Sequence, residues 1–118
     1  MQDGRGVALA QGAYYVASGV LPLVSMRAFE AVTGPKEDDW LVRTVGLLVA
    51  AIGLALLLAA RRGRVTEDLA RVARWSAVAL GGIDVYYSLR GRISKVYLAD
   101  AAVEAALVAG WRRARRAA

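Results

Sequence analysis

The sequence predicts an all-α integral membrane protein, a single domain built as a four-transmembrane-helix bundle. Three observations carry that reading. Of the 118 residues, 58% are hydrophobic and the mean hydropathy is +0.40, more apolar than a water-soluble domain of this length. The uncharged residues are gathered into long runs separated by short polar turns, which places spans at about 6–28, 41–60, 69–89 and 96–111. Within these runs stand three carboxylates, Asp84, Asp100 and Glu104, and a carboxylate in hydrocarbon costs several kcal/mol unless it faces a protein interior or a watery cavity.

Composition also excludes chemistries. With no cysteine and no histidine, disulfides, thiolate chemistry, imidazole catalysis and the usual zinc sites are ruled out, and no metal or cofactor is expected. The net charge is +6, but the arginines cluster beside the apolar runs. Membrane lipids, through anionic headgroups and the orientation they impose, account for that pattern better than nucleic acid does.

The first span follows a short polar leader. The stretch 6–26 carries no formal charge, and a helix of that length covers about 31 Å, enough for a bilayer core. Pro22 predicts a kink late in it. Tyr14 and Tyr15 lie too deep for an interfacial belt, so at least one is expected to turn inward and hydrogen-bond. Arg27 and Glu30 are spaced to pair on one helical face. Gly34 and Pro35 then mark a turn, with Asp38 or Asp39 capping the second helix and Trp40 at the interface.

The second span is the most apolar, with 44–60 uncharged and Arg43 one turn inside. Arg43 either snorkels to the lipid phosphates or serves as an inward counter-ion. Gly46, Ala50 and Gly53 form a small-residue face suited to close helix contact, through which the protein is expected to be able to self-associate. Arg61, Arg62 and Arg64 end this helix. Thr66 is the expected N-cap of the third, with Glu67 and Asp68 placed favourably for the helix dipole. Arg71 and Arg74 fall in its first turns and Asp84 lies four turns in. A polar turn at 90–95 leads to the last span, where Asp100 and Glu104, four apart, share a face. Arg112, Arg113, Arg115 and Arg116 close it as a basic anchor.

Four spans put both termini on one side. That side holds ten of the 16 basic residues, so the positive-inside rule predicts a multi-pass protein of a bacterial-type inner membrane with both termini cytoplasmic. Arg27, Arg43, Asp84 and Asp100 then share the non-cytoplasmic half, with Glu104 one turn deeper. Tyr86, Tyr87, Arg90 and Tyr97 lie at similar heights or nearer the surface.

These residues predict a polar intramembrane pocket. Asp84, Asp100 and Glu104 are the candidate catalytic residues, and Arg27, Arg43, Tyr14, Tyr86, Tyr87, Arg90 and Tyr97 the candidate substrate-binding ones. The expected function is binding or conversion of a hydrophobic small molecule or lipid by carboxylate acid/base chemistry, such as isomerisation or epoxide opening. Two alternatives stand beside it. One is a small proton-coupled transporter. The other is a non-catalytic membrane subunit whose acids and arginines are interhelical ion pairs.

The run GAYYVASGVLPLVSMRAFEAVTG, the apolar second helix, and the IDVYY and YLADAAVE segments with their acids resemble the small four-helix membrane proteins of the broad DoxX-like group. The resemblance covers nearly the whole chain and implies a four-helix bundle with an internal polar pocket. A more distant similarity is to the sterol-isomerase type of membrane bundle, whose histidine chemistry this chain lacks. The small multidrug resistance proteins carry their essential Glu in the first span, where this chain has no carboxylate.

Overall fold

The computed structural model describes residues 4–33, 39–91 and 95–117. Every regular element among them is a helix: α1 (Arg5–Val24), α2 (Met26–Thr33), α3 (Asp39–Arg61), α4 (Glu67–Leu89) and α5 (Tyr97–Ala117). The molecule measures 43 × 28 × 18 Å. Among the described residues two helices are long and apolar enough to cross a membrane, Arg5–Val24 and Trp40–Arg61.

The first predicted span, 6–28, is divided in two. Pro22 has no N–H to give the carbonyl of Ser18, and the helix ends two residues later at Val24. Ser25 is extended (φ −150°, ψ 97°). Its N–H still donates to the Leu21 carbonyl at 2.9 Å, and its Oγ accepts from the Ala28 N–H at 3.1 Å. Ser25 therefore closes α1 and caps α2, which sets off in a new direction without any fully buried side chain. The Gly34–Pro35 turn and the proposed Asp38 or Asp39 cap lie outside the described residues and side chains.

The Gly46, Ala50 and Gly53 face is used within the chain. A Cβ on Gly19 would stand 2.4 Å from the Gly46 carbonyl oxygen and 2.7 Å from the Ala50 nitrogen. One on Gly53 would stand 2.8 Å from the Gly12 oxygen. The relation is reciprocal, so two glycine pairs spaced by two helical turns bring the backbones of antiparallel α1 and α3 into direct contact. Helices α4 and α5 form the second tightly packed pair.

Polar side chains of α1 join the two pairs. Gln11 Nε2 donates to the Ala73 carbonyl of α4 at 2.9 Å, and Trp111 Nε1 of α5 donates to Gln11 Oε1 at 2.6 Å. Around this node Ala8, Leu56, Ala60, Ala70, Ala73 and Trp111 form a dry core at the end holding the N-terminus of α1 and the C-terminus of α5. Gly4, with φ +81°, lets the chain enter α1 against the Trp111 ring, where a Cβ would stand 2.8 Å from Cζ3.

The turn into α4 follows its sequence signals. Thr66 Oγ1 accepts from the Leu69 N–H at 3.2 Å, and Arg71 and Arg74 pair with Asp68 and Glu67 at the helix start. Thr66→Ala is expected to cost about 1 kcal/mol. A thermal melt in detergent should register that loss with the helical content unchanged.

Outside this core the usual distribution is inverted. Leu47, Leu48, Leu54, Val78 and Ile83 are exposed, while Asp84, Ser88 and Glu104 are buried.

Candidate functional site

The end of the bundle opposite the dry core opens into a cavity of about 500 Å³. Helix α2 lies across it with Phe29 and Val32, α3 supplies Val42, Val45 and Val49, and α1 supplies Pro22. At its polar pole stand Tyr14 and Tyr15 of α1, Asp84 of α4, and Asp100 and Glu104 of α5.

Each position follows from helix geometry. Asp100 and Glu104 are one turn apart on α5, and Tyr14 and Tyr15, adjacent on α1, reach them at two heights. The Tyr15 hydroxyl donates to Glu104 Oε1 at 2.7 Å, with Tyr15 fully buried and Glu104 2% exposed. Tyr14 donates to Asp100 Oδ1. The side chain of Glu104 lies against Gly81 of α4, where a Cβ would stand 3.2 Å from Glu104 Cβ. Gly81 thus makes room for the acid at the α4–α5 contact. Asp84, Asp100 and Glu104 thus stand as one cluster of acids on the cavity wall.

Asp84 is the exception within it. It is 6% exposed, and its Oδ2 receives no hydrogen bond from any described protein group. Ser88, one turn further along α4, is buried as well.

The structure gathers some of the predicted residues and leaves others apart. Asp84, Asp100, Glu104, Tyr14 and Tyr97 line the cavity together. Arg27 and Arg43 are exposed and do not line it. Tyr86, Tyr87 and Arg90 form a separate cluster at the C-terminal end of α4. The two rings meet edge to face at 4.9 Å, and the Arg90 guanidinium lies 5.3 Å from the centre of the Tyr86 ring.

Sequence reasoning expected an inward tyrosine but left Tyr15 out of the candidate site, and it missed Gln11. Both belong to the buried stripe of α1 at Ala8, Gln11, Gly12, Tyr15, Gly19 and Pro22, whose spacings of three and four repeat along the helix. A glutamine on a stripe otherwise small or aromatic was the available signal. The cover formed by α2 was missed too, and the signal for it was Ser25 as a cap.

Comparison with family models, with curated proteins and with solved structures finds no match to this chain.

Proposed function

We propose that the protein is a four-span membrane bundle that binds a hydrophobic small molecule or lipid in its apolar cavity, with Asp84, Asp100 and Glu104 as the polar pole. The observation that carries this reading is the inversion of the fold: buried acids at the end of an apolar-walled cavity, and bare leucine, isoleucine and valine outside. The most apolar helix, with a mean hydropathy of 2.4 over its best stretch, is only 17% buried there, the reverse of a core helix in water. Hydrocarbon is the solvent that suits such a surface.

The acids lower the average hydropathy of α4 and α5, yet they point inward. From Trp75 to Leu89 the exposed residues of α4 are all uncharged, as are those of α5 from Tyr97 to Gly110. Stretches of 15 or so residues cover about 22 Å, and the arginines at the cytoplasmic ends can snorkel across the remainder. Arg61, Arg62, Arg64, Arg71, Arg112 and Arg113 are exposed at the end that holds both termini, which fits those termini lying in the cytoplasm. The DoxX-like resemblance agrees with this layout.

The interhelical ion-pair alternative is disfavoured, because Asp100 and Glu104 are held by tyrosines while Arg27 and Arg43 stay outside. The transporter alternative is disfavoured by the dry core, which closes the cytoplasmic end of the bundle. Conversion by proton transfer, as in isomerisation or epoxide opening, is a second reading favoured by the free oxygen of Asp84. It predicts turnover in detergent without a gradient.

The binding reading is tested by mass spectrometry of small molecules that co-purify with the protein. Wild type should retain a specific hydrophobic molecule. Val49→Trp, which fills the cavity from α3, should lose it while melting at a similar temperature. The same molecules at the same level in both proteins would contradict a ligand cavity.

A further inference from the structure

We infer that the ligand is a hydrophobic amine, seated with its protonated nitrogen on the Asp84 carboxylate and its hydrocarbon body among the apolar cavity walls. The inference rests on the cavity reading and adds the chemical class of its occupant.

It follows from a count of donors and acceptors. The pole of the cavity presents three carboxyl groups, and each nearby tyrosine has a single O–H to give. Tyr15 gives its own to Glu104 and Tyr14 gives its own to Asp100. Asp84 receives neither, and its Oδ2 is left buried without a donor among the described residues. Among the described residues no cation fills the gap. Arg27 and Arg43 are exposed, Arg90 lies by the Tyr86 ring, and α2 and α3 line the cavity with apolar residues and Thr33. Among the described residues no group of acids has the arrangement to hold a metal ion.

A site rich in acceptors and short of donors selects its ligand. A fatty acid or phosphate headgroup would set an anion against carboxyl oxygens. A neutral alcohol could supply one donor but would leave the acidic pole uncompensated. An ammonium supplies up to three donors and a charge, and charge-assisted hydrogen bonds are about twice as strong as neutral ones. A cavity of about 500 Å³ suits a ligand of drug-like or single-chain size.

The test uses the full chain in nanodiscs of zwitterionic lipid, with dodecylammonium, dodecanol and dodecanoate offered at equal concentration and bound ligand read by native mass spectrometry. Wild type should prefer dodecylammonium to either of the others by about tenfold or more. Asp84→Asn should lose that preference while dodecanol binding stays as it was. Val49→Trp should exclude all three. Dodecanol or dodecanoate binding as well as the amine, or an Asp84→Asn protein that keeps the preference, would overturn the amine assignment. If in that case Val49→Trp still excludes dodecanol, the cavity reading stands alone, and if Val49→Trp changes nothing, both fall. Should Asp84→Asn fail to fold, the ranking of the three ligands on wild type decides the question.

Discussion

Gly19→Ala is expected to destabilise the bundle by about 1–3 kcal/mol, although alanine is the better helix former. At Gly19 a Cβ would stand 2.4 Å from the Gly46 oxygen and 3.1 Å from the Ala50 Cα, and both are backbone atoms that can yield only if α1 and α3 separate. Separation would also pull Tyr14 and Tyr15 away from α5, so the effect should reach the cavity. Gly19→Leu should be more severe and leave little folded protein. The control is Gly82→Ala on the outer face of α4, where nothing lies within 4 Å. There the gain in helix propensity should stabilise by up to about 1 kcal/mol. Melting curves in one detergent check the opposite signs, and equal shifts for the two variants would show that the glycine contact is not tight.

Tyr15 and Glu104 should show a strong asymmetry between single and double changes. Tyr15→Phe removes the donor that Glu104 Oε1 uses at 2.7 Å, and Glu104→Leu removes the acceptor of a fully buried hydroxyl. Each leaves a buried polar group unsatisfied, at a cost of about 1–3 kcal/mol. The double variant replaces both partners by apolar groups and should recover much of the loss. A double-mutant cycle measures the coupling, and strictly additive losses would mean that the bond contributes nothing of its own. Glu104→Gln keeps an acceptor for Tyr15 and should melt close to wild type. If Asp84 is the ligand's anchor, as proposed, Glu104→Gln should weaken binding less than Asp84→Asn.

Much of the architecture was legible in the sequence because apolar runs, caps and charge clusters are local signals. The third predicted span ends where α4 does, at Leu89, the fourth begins one residue before α5 but stops at 111 while the helix runs on to Ala117, and Thr66 caps as its position before Glu67 and Asp68 implied. The spacing of Gly46 and Gly53 announced a close contact but not its partner, because small residues serve a neighbouring helix and a second copy equally well. The inward turn of the tyrosines followed from their depth, whereas which acid each would meet depended on the rotation of α1 against α5. Arg27 and Arg43 were paired with the acids on charge alone. Ser25 redirects the chain after α1, and with both arginines exposed, Asp100 and Glu104 are satisfied by tyrosines instead. A cap three residues past a proline was the local signal that outweighed the apolar continuity of 6–28.

The central claim is that α4 and α5 stand in lipid with their acids turned inward, and α4 offers the most direct test. The chain has no cysteine, so single cysteines can be placed at Val78 and Ile83 on its exposed face and spin-labelled in reconstituted bilayers. A label at Leu48 on α3 serves as the lipid-facing reference. The account predicts that the α4 labels, like the reference, collide freely with dissolved oxygen and little with a water-soluble nickel chelate. Nickel access at Val78 and Ile83 with lipid access at Leu48 would place α4 in water and contradict the four-span bundle.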